Sequence, residues 1–142
     1  MLPFTTLVVG SAASLLLAAH TPALAGTMPR SAGAAVHLVC DSTADAGFCR
    51  ALADAIGAHA DGRAVVLGDD PGAAPVPDAL VLRFVTERRN AASLAGHLAW
   101  RTATGDSGQG PTMEISVVDT ALNPELMRTY AAELVRYSAL PI

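Results

Sequence analysis

Lysine is absent from this chain. All nine basic residues are arginine, they are scattered, and thirteen acidic residues outweigh them to a formal net charge of −4. Sequence-independent nucleic-acid binding needs clustered cations against phosphates, so no nucleic-acid partner is expected. Cysteine is nearly absent too: Cys40 and Cys49 are the only two. A structural zinc site takes four ligands, and His37 and His59, although close by, lack zinc-finger spacing. No metal is expected. The C-x8-C spacing is also not the C-x-x-C of a redox couple. There is no Walker loop, no G-x-G-x-x-G, no H-E-x-x-H and no G-x-S-x-G, so no cofactor is expected either.

Charged side chains are missing altogether from residues 1–25, MLPFTTLVVGSAASLLLAAHTPALA. An apolar stretch runs from Leu7 to Ala19, Pro22 follows, and Ala23-Leu24-Ala25 supplies the small residues of a cleavage site. This is the pattern of a secretory signal peptide, although the segment before the apolar stretch has no Lys or Arg. An uncleaved membrane anchor is the competing reading, but a span needs roughly 20 predominantly apolar residues, and Gly10, Ser11 and Ser14 interrupt this one. The expected organisation is a leader over 1–25, a small polar lead-in over 26–34 and one α/β domain over 35–142, with no membrane span after cleavage. Export implies a periplasmic or secreted protein. Cysteine pairs persist as disulfides in such compartments, so Cys40 and Cys49 are expected to be joined. The clip would fix the end of a strand against the start of a helix.

The mature part is rich in patterned segments. Residues 35–40, AVHLVC, form a short apolar run suited to a buried strand. Asp41-Ser42-Thr43 offers N-cap chemistry for a helix with Phe48, Leu52, Ala55 and Ile56 on one stripe. A second short strand, AVVL over 64–67, should run parallel to the first, as in a strand–helix–strand unit. The segment 68–78 is rich in Pro and Gly and reads as a loop. Residues 79–88, 92–102 and 111–119 then alternate apolar and polar side chains with period two, the mark of half-buried strands. The turn between the first two is short and the Gly-rich link 103–110 is a looser hairpin loop. Asn123-Pro124-Glu125 opens a last helix, with Leu126, Met127, Tyr130, Ala131, Leu134, Val135 and Ser138 facing inward. The order β-α-β-β-β-β-α predicts an α+β fold: a two-layer α/β sandwich whose mixed, mostly antiparallel five-stranded sheet carries both helices on one face.

Three places could carry chemistry. Gly105-Asp106-Ser107-Gly108-Gln109-Gly110-Pro111 resembles the nucleophile segment GDSGGP of trypsin-like serine proteases. That resemblance would imply a nucleophilic Ser107, but it covers seven residues, an extra Gln separates the glycines, and the family needs two β-barrels and a base histidine in a different setting. A glycine-rich hairpin turn accounts for the segment. The outward sheet face gathers Arg83, Glu87, His97, Arg101, Glu114 and Ser116. Cross-strand charge pairs are ordinary on a wet sheet face, at about 0.2–1 kcal/mol each, yet the same groups could hold an anion or a partner, and Arg83, His97, Arg101 and Glu114 are the candidate binding residues. The edge with Asp41, Ser42, Thr43, Asp69 and Asp70 could suit a hard cation, or could simply be capping and turns. His37 and the single Trp100 read as packed residues.

The resulting expectation is a small exported envelope protein that acts by binding, its partner an unknown envelope protein or small molecule. The alternative is a small hydrolase-like enzyme using His97 with Glu114 or Ser116. A structural domain that pairs by a free strand edge is a third class.

Overall fold

The computed structural model describes residues 33–68 and 77–142. The predicted leader, most of the lead-in, and Asp69 and Asp70 lie outside the described residues. The elements are β1 (Val36–Cys40), α1 (Ala46–Gly57), β2 (Val65–Gly68), β3 (Leu80–Arg89), β4 (Ser93–Arg101), β5 (Ser107–Gln109), β6 (Met113–Ser116) and α2 (Pro124–Tyr137). The sheet runs β2-β1-β3-β4, and the far edge of β4 is shared by β5 and β6. β1 is parallel to both β2 and β3, whereas β4 is antiparallel to β3, β5 and β6. The α+β sandwich expected from the sequence is therefore the fold observed.

Period-two burial sorts the sheet into two faces. Val36 and Leu38 on β1, Leu80, Leu82 and Phe84 on β3, and Leu94 and Leu98 on β4 point into one core. Phe48, Leu52 and Ile56 from α1, and Tyr130, Ala131, Leu134 and Val135 from α2, meet them there. Both helices consequently lie on the same face. Its centre is aromatic: the Phe48 and Phe84 rings meet edge-on at 4.8 Å, and Tyr130 lies 5.7 Å from Phe48. The Tyr130 hydroxyl donates to the Met113 carbonyl at 2.9 Å, and burial pushes its pKa up to about 12. Gly96 makes room for this cluster, since a Cβ there would lie 2.7 Å from the Phe84 ring and closer still to the Val85 carbonyl oxygen.

Two local features differ from expectation. The helix α1 is capped by Asp45, whose carboxylate accepts from the Gly47 and Phe48 amides, and not by the Asp41-Ser42-Thr43 segment. Asp41 instead accepts from the Thr43 amide and hydroxyl and the Ala44 amide, closing a turn, and reaches across to the Thr86 amide at 2.8 Å and its hydroxyl at 3.0 Å. It thus ties the β1–α1 turn to β3. The second difference is β5, a strand of three residues within the stretch predicted as loop, followed by a β6 shorter than the predicted 111–119 strand. β6 ends where the chain turns off through Val117, whose amide donates to the Ala92 carbonyl, and Asp119, with φ 58°.

Partial burial alone would raise the Asp41 pKa, but its hydrogen bonds from Thr43 and Thr86 outweigh that and hold it below the ordinary carboxylate value. A depressed folded-state pKa contributes stability that is complete above the unfolded value of about 3.9 and is lost as pH falls through the folded value. Asp41→Asn leaves the geometry but puts an amide where a carboxylate oxygen accepted. It should cost about 1–2 kcal/mol at neutral pH. In urea melts the gap between variant and parent should narrow on acidification below about pH 4; a gap constant with pH would mean that Asp41 is not bonded as a carboxylate.

Candidate functional site

The sheet face opposite the helices carries the predicted charged residues, and the register places each of them. Arg83 lies opposite Ala99, Val85 opposite His97 and Val81 opposite Arg101 on the β3–β4 pair. On the far edge of β4, Ser107 lies opposite Arg101 and Gln109 opposite Ala99, while Glu114 lies opposite Ala95 and Ser116 opposite Ser93. His37 shares this face on β1, half-buried, opposite Val66 and Val81. Trp100 points the other way and packs over Gly108, where a Cβ would lie 2.6 Å from the indole.

These side chains resolve into two groups. At one end Arg88 and Glu114 form an ion pair at 2.5 Å, and both are exposed. In the middle the His97 Nδ1 meets Glu87 Oε1 at 2.8 Å, and the Thr112 hydroxyl donates to the same oxygen at 2.7 Å. The Thr112 and His97 hydrogen bonds hold the Glu87 carboxyl below its ordinary range. With Nδ1 taken by a carboxylate, Nε2 is the imidazole nitrogen left for a ligand. The His97 side chain is only 14% exposed, held down against its strand neighbours. Arg83 and Arg101 are exposed and make no ion pair among the described residues.

The four candidates are therefore split. Arg83, Arg101 and His97 surround one position, Ala99, whereas Glu114 is held away by Arg88. The pairing of His97 with Glu114 or Ser116 is not what the structure brings together. Ser116 is level with Ser93, four residues from His97 and about 13 Å along the strand. Ser107 is level with Arg101 and equally distant in the other direction. Neither hydroxyl has the histidine as a base within hydrogen-bond reach. The GDSG stretch is instead a tight hairpin turn: the Thr102 amide donates to the Asp106 carbonyl at 2.8 Å, the Gly105 amide to the Thr102 carbonyl at 3.1 Å, and Gly105 takes φ 95°.

Glu87's bond to His97 was hidden in the sequence because it sits at an irregularity between Thr86 and Arg88, where the β3–β4 register shifts. A bulge breaks strict alternation, and only its outcome turns Glu87 towards His97. Thr112 and Gln109 were also missed, the latter because it lies on the unpredicted β5.

Two other places were candidates. Asp41 has its oxygens occupied by the turn and by Thr86, as described above, and among the described residues no three His, Cys, Asp or Glu side chains come together as metal ligands. A groove of about 530 Å³ lies between the N-terminal ends of α1 and α2 and the β3–β4 turn, floored by Phe48, Leu122 and Met127. Its rim is engaged internally: Arg89 donates to the Thr43 carbonyl at 2.6 Å and stands 3.8 Å from Asp45, the α1 cap.

Cys40 and Cys49 are disulfide-bonded, with Cα atoms 6.3 Å apart, joining the last residue of β1 to the first turn of α1. No described helix is long and apolar enough to cross a membrane. Fold and site together define a small disulfide-clipped α+β sandwich with one sheet face left uncovered by its own helices. The chain matches no protein-family model and no curated protein. Among solved structures it is similar to the PelC dodecamer from Paraburkholderia phytofirmans, at 15% identity and a TM-score of 0.42, over 74% of this chain and 85% of that one.

Proposed function

We propose that this chain is a small exported protein of the cell envelope, periplasmic or secreted, that acts by binding through the uncovered face of its sheet. The observation that carries the reading is the pair Arg83 and Arg101. The acids of the same face are engaged elsewhere, Glu87 by His97 and Thr112 and Glu114 by Arg88, so two exposed guanidinium groups are left without a counter-charge among the described residues. A chain of net charge −4 gains nothing in solubility from such a pair that acids would not supply better. Export rests on the charge-free leader and on the Cys40–Cys49 bond, which persists in an oxidising compartment.

The test is the double charge reversal Arg83→Glu with Arg101→Glu. Both side chains are exposed, so the melting curve should move little, within about 0.5 kcal/mol. Capture of a partner from native envelope extract should be lost. Retention of every parental partner by the reversed protein would remove this face from the function.

A second reading, an acid–base enzyme centred on His97, is favoured by the Glu87–His97 hydrogen bond, which orients the ring and leaves Nε2 outward. On that reading His97→Ala abolishes turnover of a chromogenic ester, phosphoester or glycoside at temperatures well below the variant's own melting transition. Equal turnover by parent and variant removes it.

A further inference from the structure

Ala99, which carries only a methyl group, is the floor of a hollow walled by two guanidinium groups, a carboxamide and an imidazole. Arg83 stands directly opposite it on β3 and Gln109 directly opposite on β5, while His97 and Arg101 are its second neighbours along β4. Residues directly opposite have Cβ atoms about 5 Å apart, and second neighbours along a strand lie about 7 Å apart. All four side chains stand on the same face as Ala99, because register and alternation agree for each. The guanidinium of Arg carries a fixed fork of N–H donors suited to bidentate pairing with a carboxylate or phosphate. The imidazole of His97 is turned by Glu87 so that Nε2 faces away from that carboxylate, and the Gln109 carboxamide adds a neutral donor. The methyl of Ala99 keeps the centre open where a larger side chain would fill it.

We infer that the hollow above Ala99 is a subsite for an oxyanion, a carboxylate or a phosphate group carried by the ligand of this face. The inference rests on the binding role proposed above and names the chemistry recognised there. Arg83 and Arg101 grip the oxyanion from two sides, Gln109 donates through its amide, and His97 donates from Nε2 when both ring nitrogens carry protons. The acidic groups of this face are engaged by other side chains: Glu87 by Thr112 and the Nδ1 side of His97, and Glu114, opposite Ala95 and so two residues beyond His97, by Arg88. The position thus differs from the rest of the face, where each charge has a partner.

The experiment is a nuclear magnetic resonance titration of the ¹⁵N-labelled mature protein with inorganic phosphate, with galacturonate and, as control, with chloride. Phosphate or galacturonate should shift the amides of Ala99, His97 and Arg101 and the side-chain resonances of Arg83 and Gln109, and chloride at equal ionic strength should not. Saturation by phosphate alone assigns a phosphate-bearing ligand, by galacturonate alone a carboxylate-bearing one, and either supports the subsite. Ala99→Leu keeps both arginines and fills the floor, and it should weaken binding by about tenfold or more, as should Arg83→Gln with Arg101→Gln. Arg50→Gln with Arg128→Gln removes an equal charge from the helix side of the sheet and should leave binding unchanged. If Ala99→Leu fails to give the parental melting curve, Gln109→Ala takes its place, with a smaller loss expected. No localised shift with either anion, or an equal loss in Arg50→Gln with Arg128→Gln, overturns the inference. Partner capture that is lost on charge reversal while neither anion binds would leave the binding role standing and sink this subsite alone; localised anion binding without any reversal-sensitive partner would do the opposite.

Discussion

Phe84→Ala is expected to remove about 3–5 kcal/mol of folding stability. Phe84 is fully buried, and its ring edge meets Phe48 at 4.8 Å in the middle of the aromatic cluster. It comes from β3 and touches α1 through Phe48, which in turn packs on Tyr130 of α2. Truncation therefore opens a cavity inside the core that the sheet shares with both helices. Neighbours cannot collapse into it easily, because Gly96, beneath the ring, brings no side chain. A domain of this size has about 5–15 kcal/mol in total, so the melting temperature should fall on the order of 15 °C. Val118→Ser, at a position 84% exposed, is the matched control and should stay within about 0.5 kcal/mol. A Phe84→Ala protein that melts with the control would mean that the core is not centred here.

Removing the cross-link should be the next largest effect. In the chain-entropy account a loop of this length restrains the unfolded chain by about 2.7 kcal/mol. Replacing Cys40 and Cys49 together by alanine, or reducing the parent, should lower the melting temperature on the order of 10 °C. Neither change touches the sheet face, so a partner captured through Arg83 and Arg101 should still be captured below the new transition. Intact-mass measurement of protein from its native host belongs to the same experiment. It should find a chain beginning at Gly26 and lighter by two hydrogens than the dithiol. Free thiols on a full-length chain would remove the export proposal. Asp41 follows Cys40 and anchors the same turn to Thr86, so Asp41→Asn and the cysteine replacements should not be additive.

The layout of the domain was readable because its strongest signals are periodic. The alternation in 79–88 and 92–102 gave β3 and β4 with the correct inward set, and Asn123-Pro124 marked the start of α2, where Asn123 accepts from the Leu126 amide at 3.0 Å. Signals shorter than a period were not readable. Ser107–Gln109 contains no apolar residue, and it is a strand only because β4 extends beyond β6 and offers a bare edge at Ala99 to Arg101. Two aspartates four residues apart compete to cap α1, and the choice of Asp45 is made by tertiary structure, since Asp41 is engaged by Thr86 on another strand. The candidate site suffered from the same limitation of range. Residue types on the polar face were legible, but who pairs with whom depends on the irregularity at Thr86–Arg88 and on strand order. Those two facts hand His97 to Glu87 and Glu114 to Arg88.

β4 is bonded to β3 along one side and to β6 and then β5 along the other. Freeing one of its amides means lifting a neighbouring strand, so β4 belongs to the slowest-breathing part of the sheet. Among the described residues β2 is paired along one side only, with Val66 and Leu67 at 42% and 46% exposure, and should be the first strand to fray. Ala99 and its neighbours therefore sit on ground that does not shift when something lands on it. Recognition there would draw on a surface already in shape, with little ordering left to be done at the moment of contact.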